Sequence, residues 1–164
     1  MIPVLVLTLG LATAVFTDVR TRRIPNWLTG AMAGAGFGLA LGGGVVTPTQ
    51  AALGLLTGLL LMMPGHLIGA TGAGDVKLMA AVGTMLGPDL TFRAFLYSAV
   101  AGGVFAVAVA THRGILTTTL QDAGRLVTFP AGARHDIESP ARANRFAYGP
   151  AIATGTLISL MVAR

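Results

Sequence analysis

Residues 76–87 read VKLMAAVGTMLG, and the course of this stretch decides the fold. It is apolar or small throughout except for Lys77 and Thr84. At 1.5 Å per residue it makes roughly 18 Å of helix, whereas crossing the hydrocarbon of a bilayer takes about 20 residues. On length alone it could turn back inside a membrane. Its neighbours are of the same kind. Apolar segments run over residues 2–17, 27–46, 51–70, 76–87, 92–110 and 148–163. The second, third and fifth are long enough to span; the first and sixth are a little short.

Charge placement settles the direction of the fourth. If all six segments cross, then Arg20, Arg22, Arg23, Lys77, Arg113, Arg125, Arg134, Arg142 and Arg145 share one side, against Arg93 and Arg164 on the other. Positive loops mark the cytoplasmic side. A fourth segment that turned back would send the loop from Arg113 to Arg145 outward. The expected fold is therefore an all-α, polytopic membrane helix bundle of about six transmembrane helices, a single domain over residues 1–164 with both termini outside.

Composition agrees. Of the 164 residues 54% are hydrophobic and 10% charged, against about 25% charged for a soluble domain. So few charges cannot cover a water-facing surface, and the lipid bilayer is the expected solvent. The net charge of +5 would suggest nucleic acid in a soluble chain. Here the arginines cluster in a few loops without interleaved aromatics, so orientation explains them and no nucleic acid is expected. There is no Cys, which excludes disulfides and a thiolate nucleophile. His66, His112 and His135 are isolated, so no metal or other cofactor is expected. Ala12-Thr13-Ala14 resembles a signal cleavage site, but no Lys or Arg precedes the first apolar run; the segment is expected to remain as a helix.

Two further patterns bear on packing. Gly34, Gly38 and Gly42 recur every fourth residue, as do Gly54 and Gly58, the spacing that lets membrane helices approach closely. Between 111 and 147, Leu116, Leu120, Ala123 and Val127 share a helical face; the stretch 113–127 is expected to lie as an amphipathic helix on the inner membrane surface. Residues 130–145 read as irregular loop.

Ionisable groups beside a span are costly and signal function. Asp18 closes the first segment, and Asp75 opens the fourth. In the six-span topology both face the same side. Two carboxylates at one depth can share a proton, one activating water while the other polarises a carbonyl. Each also has a plainer role: Asp75 as a helix cap, Asp18 as partner of Arg22. Helix ends would divide the labour, because Asp75 lies at a positive N-terminus and Asp18 at a C-terminus. Asp75 would then be the base and Asp18 the proton carrier, although Arg20, Arg22 and Arg23 oppose that assignment. The run Gly69-Ala70-Thr71-Gly72-Ala73-Gly74 lacks the Gly-Lys-Ser/Thr of a phosphate loop. It suits a flexible backbone that lets a substrate chain approach Asp75.

These residues carry a resemblance. Asp18 followed by Arg23-Ile24-Pro25-Asn26 resembles the first signature of type IV prepilin peptidases. Gly72-Ala73-Gly74-Asp75-Val76-Lys77 is similar to the second, G-x-G-D-x-K. More loosely, Tyr148-Gly149-Pro150-Ala151-Ile152-Ala153 resembles the last span of that family. The resemblance implies an aspartic endopeptidase in the cell membrane. It would cut the short basic leader of prepilin or pseudopilin precursors at the cytoplasmic face, with no metal. Asp18 and Asp75 would be the catalytic pair. Gly72, Gly74, Lys77, Arg23, Pro25 and Asn26 would support the loop and the substrate. Longer members carry a Cys-bearing insertion and N-methylate the new terminus. With no Cys and no such insertion, the chain resembles the short peptidase-only branch of tight-adherence pilus systems; archaeal preflagellin peptidases share the same logic. Two other classes compete. A small proton-coupled transporter would use both aspartates as proton carriers, and a non-catalytic assembly factor would use neither. A transporter places its carboxylates near the midplane, not at helix ends.

Overall fold

The structure is a computed structural model that describes residues 2–112, 114 and 148–163. Its elements are helices throughout: α1 (Ile2–Thr21), α2 (Asn26–Leu41), α3 (Pro48–Leu67), α4 (Ala73–His112) and α5 (Gly149–Val162). No strand occurs among the described residues. Of these helices α1, α3 and α4 are long and apolar enough to cross a membrane. The expected surface helix 113–127, Gly114 apart, and the loop 130–145 lie outside the described residues.

The decisive stretch is the centre of the molecule. From Asp75 to Gly87 every residue but Lys77 is buried. A helix that is apolar all round is one covered on all sides, and this explains why it needs no polar face. At Gly87 the helix breaks, with φ 74° and ψ 175°. Only glycine adopts this conformation readily. Pro88 follows, lacking an N–H and preset to begin the next helical run.

The break is a reversal. Gly54 and Gly58 of α3 meet Gly83 and Met79, so α3 and the run 73–86 pass antiparallel, and Gly87 lies beside Gln50 in the first turn of α3. Beyond the break, Gly102 meets Tyr148, Gly155 meets Ser98, and the Ser159 hydroxyl donates to the Leu90 carbonyl at 3.1 Å. That run is therefore antiparallel to α5. In an unbroken helix residues 75 and 102 would stand about 40 Å apart. Here both lie by Tyr148, one electrostatically coupled to it and one touching it. The expected fourth and fifth segments are thus the two arms of α4.

Small residues make the contacts. Thr91, Ala94, Ser98 and Gly102 form the buried stripe of the second arm of α4, and Gly155 of α5 lies directly on Ser98. Gly54 and Gly58 do what their spacing suggests. The Gly34, Gly38, Gly42 repeat does not. Among the described residues nothing stands within 4 Å of a Cβ built on Gly34 or Gly38, and one on Gly42 meets only its own helix. It is Gly36, with Met32 and Ala40, that faces the core, where it touches Thr84.

The outer surface is aliphatic. Leu5, Leu9, Leu53, Leu60, Val100 and Val104 are all exposed. Water-facing surfaces do not present apolar side chains on this scale, whereas lipid does not penalise them. The described residues are those of a membrane helical protein.

Candidate active site

Asp18 does not close α1. The helix continues to Thr21, whose hydroxyl donates to the Thr17 carbonyl at 2.8 Å. The chain turns at Arg22, which takes a left-handed φ of 52° while its N–H still donates to the Asp18 carbonyl at 2.8 Å. Non-glycine residues seldom adopt that φ. Pro25 then caps α2 in extended conformation and accepts the Leu28 N–H at 3.1 Å.

Placed in the last turn of α1, Asp18 points inward and is only 6% exposed. Its Oδ2 accepts the backbone N–H of Gly149, the first residue of α5, at 2.8 Å. Arg22 acts on the same carboxylate electrostatically. That influence alone does not account for the burial of Asp18.

Asp75 is 8% exposed. Its Oδ2 accepts the Gly72 N–H at 3.0 Å, and its own N–H donates to the Gly72 carbonyl at 3.1 Å. This reciprocal turn is half of a capping box, with Asp in place of Glu. The capping role is thus real, and it fixes the carboxylate at the mouth of the glycine-rich turn. A Cβ on Gly72 would stand 3.1 Å from that Oδ2, so a side chain there would press on Asp75.

The two sequence motifs dock on each other. A Cβ on Gly74 would lie 3.2 Å from the Cβ of the buried Ile24. Lys77 Nζ donates to Asn26 Oδ1 at 2.9 Å. Of the supporting residues, Gly72, Gly74, Lys77, Pro25 and Asn26 shape the turns around the two acids, whereas Arg23 is exposed and its carbonyl accepts Thr21 Oγ1 at 3.2 Å.

A third strand of the site comes from α5. Tyr148 precedes Gly149, donates its hydroxyl to the Ser98 carbonyl at 3.2 Å and rests its ring on Gly102. Asp75 lies close enough to Tyr148 to act on it electrostatically. The Tyr148–Gly149 corner therefore touches Asp18 and stands within reach of Asp75, bringing both acids to one end of the bundle. Neither corner residue was assigned a site role from the motifs. The available signal was Tyr-Gly-Pro at the mouth of the last apolar segment.

Helix ends do not separate the two acids, because Asp18 also faces a helix N-terminus, that of α5. Each carboxylate accepts a main-chain N–H at such an end, so the dipole gives no ground for making Asp75 the base and Asp18 the proton carrier.

An apolar groove of about 620 Å³ runs along the surface between α1 and α5. Leu11, Val15, Val19 and Leu157 wall it, and Arg20 lines it too, its guanidinium 4.8 Å above the Phe16 ring.

An aliphatic-coated helical bundle with two buried carboxylates held at one end is a membrane protein with the equipment for acid–base chemistry. Comparison with known proteins narrows this. The type IV leader peptidase family model matches residues 5–107, a stretch that contains both aspartates and both motifs. The chain belongs to the type IV leader peptidase family and is a peptidase. No curated protein and no solved structure matches it.

Proposed function

We propose that the protein is an aspartic endopeptidase that removes the basic leader of prepilin or pseudopilin precursors at the cytoplasmic face of the cell membrane. The observation that carries this reading is the convergence of Asp18 and Asp75, both buried and both held by main-chain N–H groups, on the Tyr148–Gly149 corner. With one carboxyl protonated and one ionised, the carboxylate takes a proton from water. The hydroxide equivalent adds to the scissile carbonyl, whose oxygen receives the proton of the other carboxyl. Collapse of the tetrahedral adduct breaks the C–N bond, and a carboxyl returns its proton to the leaving amine. The lateral groove between α1 and α5 supports a substrate whose apolar helix stays in the membrane while its leader reaches the acids. A proton-coupled transporter would also use two acids, but it would hold them at the midplane rather than at the end of the bundle. Co-expression with a precursor bearing a basic leader tests the function directly: the leader should be lost, and mass spectrometry should locate one cleavage site.

The reading includes six crossings, with α4 contributing two. Its basis is the nine-to-two distribution of Lys and Arg. With Cys placed by Thr47→Cys or Ser139→Cys, an impermeant thiol reagent added outside intact cells should label the first and not the second. Outside labelling at position 139 would overturn the six-crossing topology.

The protein is further proposed to cleave without methylating, as in the short branch of tight-adherence systems, since it has no Cys and no insertion between its first two apolar segments. The new N-terminus of a processed substrate should be a free amine. A mass increment of one methyl group that depends on this enzyme alone would refute that.

A further inference from the structure

The family match ends at residue 107, and α5 lies beyond it. Yet α5 supplies a hydrogen-bond donor to the Asp18 carboxylate. Gly149 N–H belongs to the first turn of a helix, where N–H groups have no partner within the helix. Here that donor is spent on a carboxylate 131 residues away. The fit is tight: a Cβ on Gly149 would stand 2.7 Å from Asp18 Oδ2 and 3.1 Å from its Cβ. Pro150 follows and presets the helical φ of the turn.

Gly149 is in turn located by Tyr148. The phenol is fastened to the Ser98 carbonyl, and the ring fills the space that a side chain at Gly102 would occupy, with a Cβ there 2.5 Å from Cε2. Ring and hydroxyl thus tie the start of α5 to the second arm of α4. The same residue lies within electrostatic reach of Asp75, which starts the first arm.

We propose that the Tyr148–Gly149 corner is a positioning element for the reaction: the Gly149 N–H sets the orientation of the Asp18 carboxylate, and the Tyr148 ring, wedged on Gly102, sets the position of Gly149 against Asp18. Tyr148 acts through Gly149 and Asp18 and is not a proton donor to substrate. This rests on the aspartic-peptidase reading of Asp18. A carboxylate displaced by about 1 Å from its productive place costs catalysis about 100-fold while leaving remote substrate contacts intact. The loss should therefore fall on kcat.

The test uses the full-length protein in nanodiscs with a purified precursor, comparing Gly149→Ala, Gly102→Ala, Tyr148→Phe, Tyr148→Ala and Asp18→Asn. Gly149→Ala should lower kcat about 100-fold with KM within a factor of about three. Tyr148→Ala and Gly102→Ala should lower kcat about 10-fold or more, whereas Tyr148→Phe, which keeps the wedge, should stay within about threefold of wild type. The folded fraction, read by size-exclusion elution and thermal melting, should not track these losses. Two results would overturn the proposal. One is wild-type kcat in folded Gly149→Ala. The other is a Tyr148→Phe variant as impaired as Tyr148→Ala, which would make the hydroxyl a chemical participant instead. If Gly149→Ala does not fold, the Tyr148 and Gly102 variants decide alone: unchanged kcat in both refutes it. Asp18→Asn separates the levels. If that variant still cleaves, the aspartic reading fails; if it is inactive while the corner variants are unaffected, only the positioning role fails.

Discussion

Asp18→Asn and Asp75→Asn should each abolish leader cleavage, lowering the rate about 1,000-fold or more, while the proteins still insert and fold. The geometry makes this substitution informative. Each carboxylate accepts one main-chain N–H through Oδ2, from Gly149 in one case and Gly72 in the other. An Asn side-chain oxygen accepts the same bond, so the cap at Gly72 and the tether at Gly149 survive. What Asn cannot do is shuttle a proton between water and a carbonyl. Asp→Ala would remove both functions and confuse the two. The double Asn variant should be no worse than either single, because a pair that shares one proton fails when either member is lost. Cleavage of a defined precursor by purified variants, followed by mass spectrometry, gives the rates. Substantial turnover by a well-folded Asp75→Asn protein would end the aspartic mechanism and revive the transporter reading. Because both acids face helix N-termini, the two singles are expected to be alike in severity.

The site was legible where its chemistry is local. Gly72 to Lys77 and Arg23 to Asn26 are short stretches whose residue types speak for themselves, and the structure docks one on the other through Ile24 against Gly74 and Lys77 to Asn26. The α5 contribution was not legible in the same way, because no local rule pairs Gly149 with a residue 131 positions earlier. The apolar run ends before Asp18, whereas the helix runs on to Thr21, because polar residues can complete a last turn that apolarity does not mark. Packing faces were the least legible. In water, a helix shows its buried face by hydrophobic contrast. In lipid the outer face is as apolar as the core, and only residue size distinguishes them. In α2 glycines stand at 34, 36 and 38, on more than one face. The 34, 38, 42 series is the regular one, yet the helix buries Gly36. The segment 76–87 escaped this ambiguity because it has no outer face to choose.

That central packing carries the other large expected effect. Gly83→Ala should destabilise the protein by about 3 kcal/mol, at the upper end of overpacking costs. A Cβ on Gly83 meets the carbonyl oxygen of Gly54, and one on Gly54 meets the carbonyl oxygen of Gly83. Both obstacles are backbone, so no side chain can rotate away, and the helices must separate. Separation opens the contact of Gly58 with Met79 as well, which spreads the loss along α3. Gly54→Ala should cost a similar amount. The double variant should cost less than the sum, because helices already pushed apart by one methyl leave room for the second. Gly34→Ala and Gly38→Ala supply the control: with nothing within 4 Å of the added carbon among the described residues, they should change stability by no more than about 0.5 kcal/mol. Unfolding of purified protein in a graded mixture of mild detergent and dodecyl sulfate, followed by helical circular dichroism, ranks all five. A Gly83→Ala protein as stable as wild type, or a Gly34→Ala protein as damaged as Gly83→Ala, would show that the Gly54–Gly83 crossing is not where the bundle is held together.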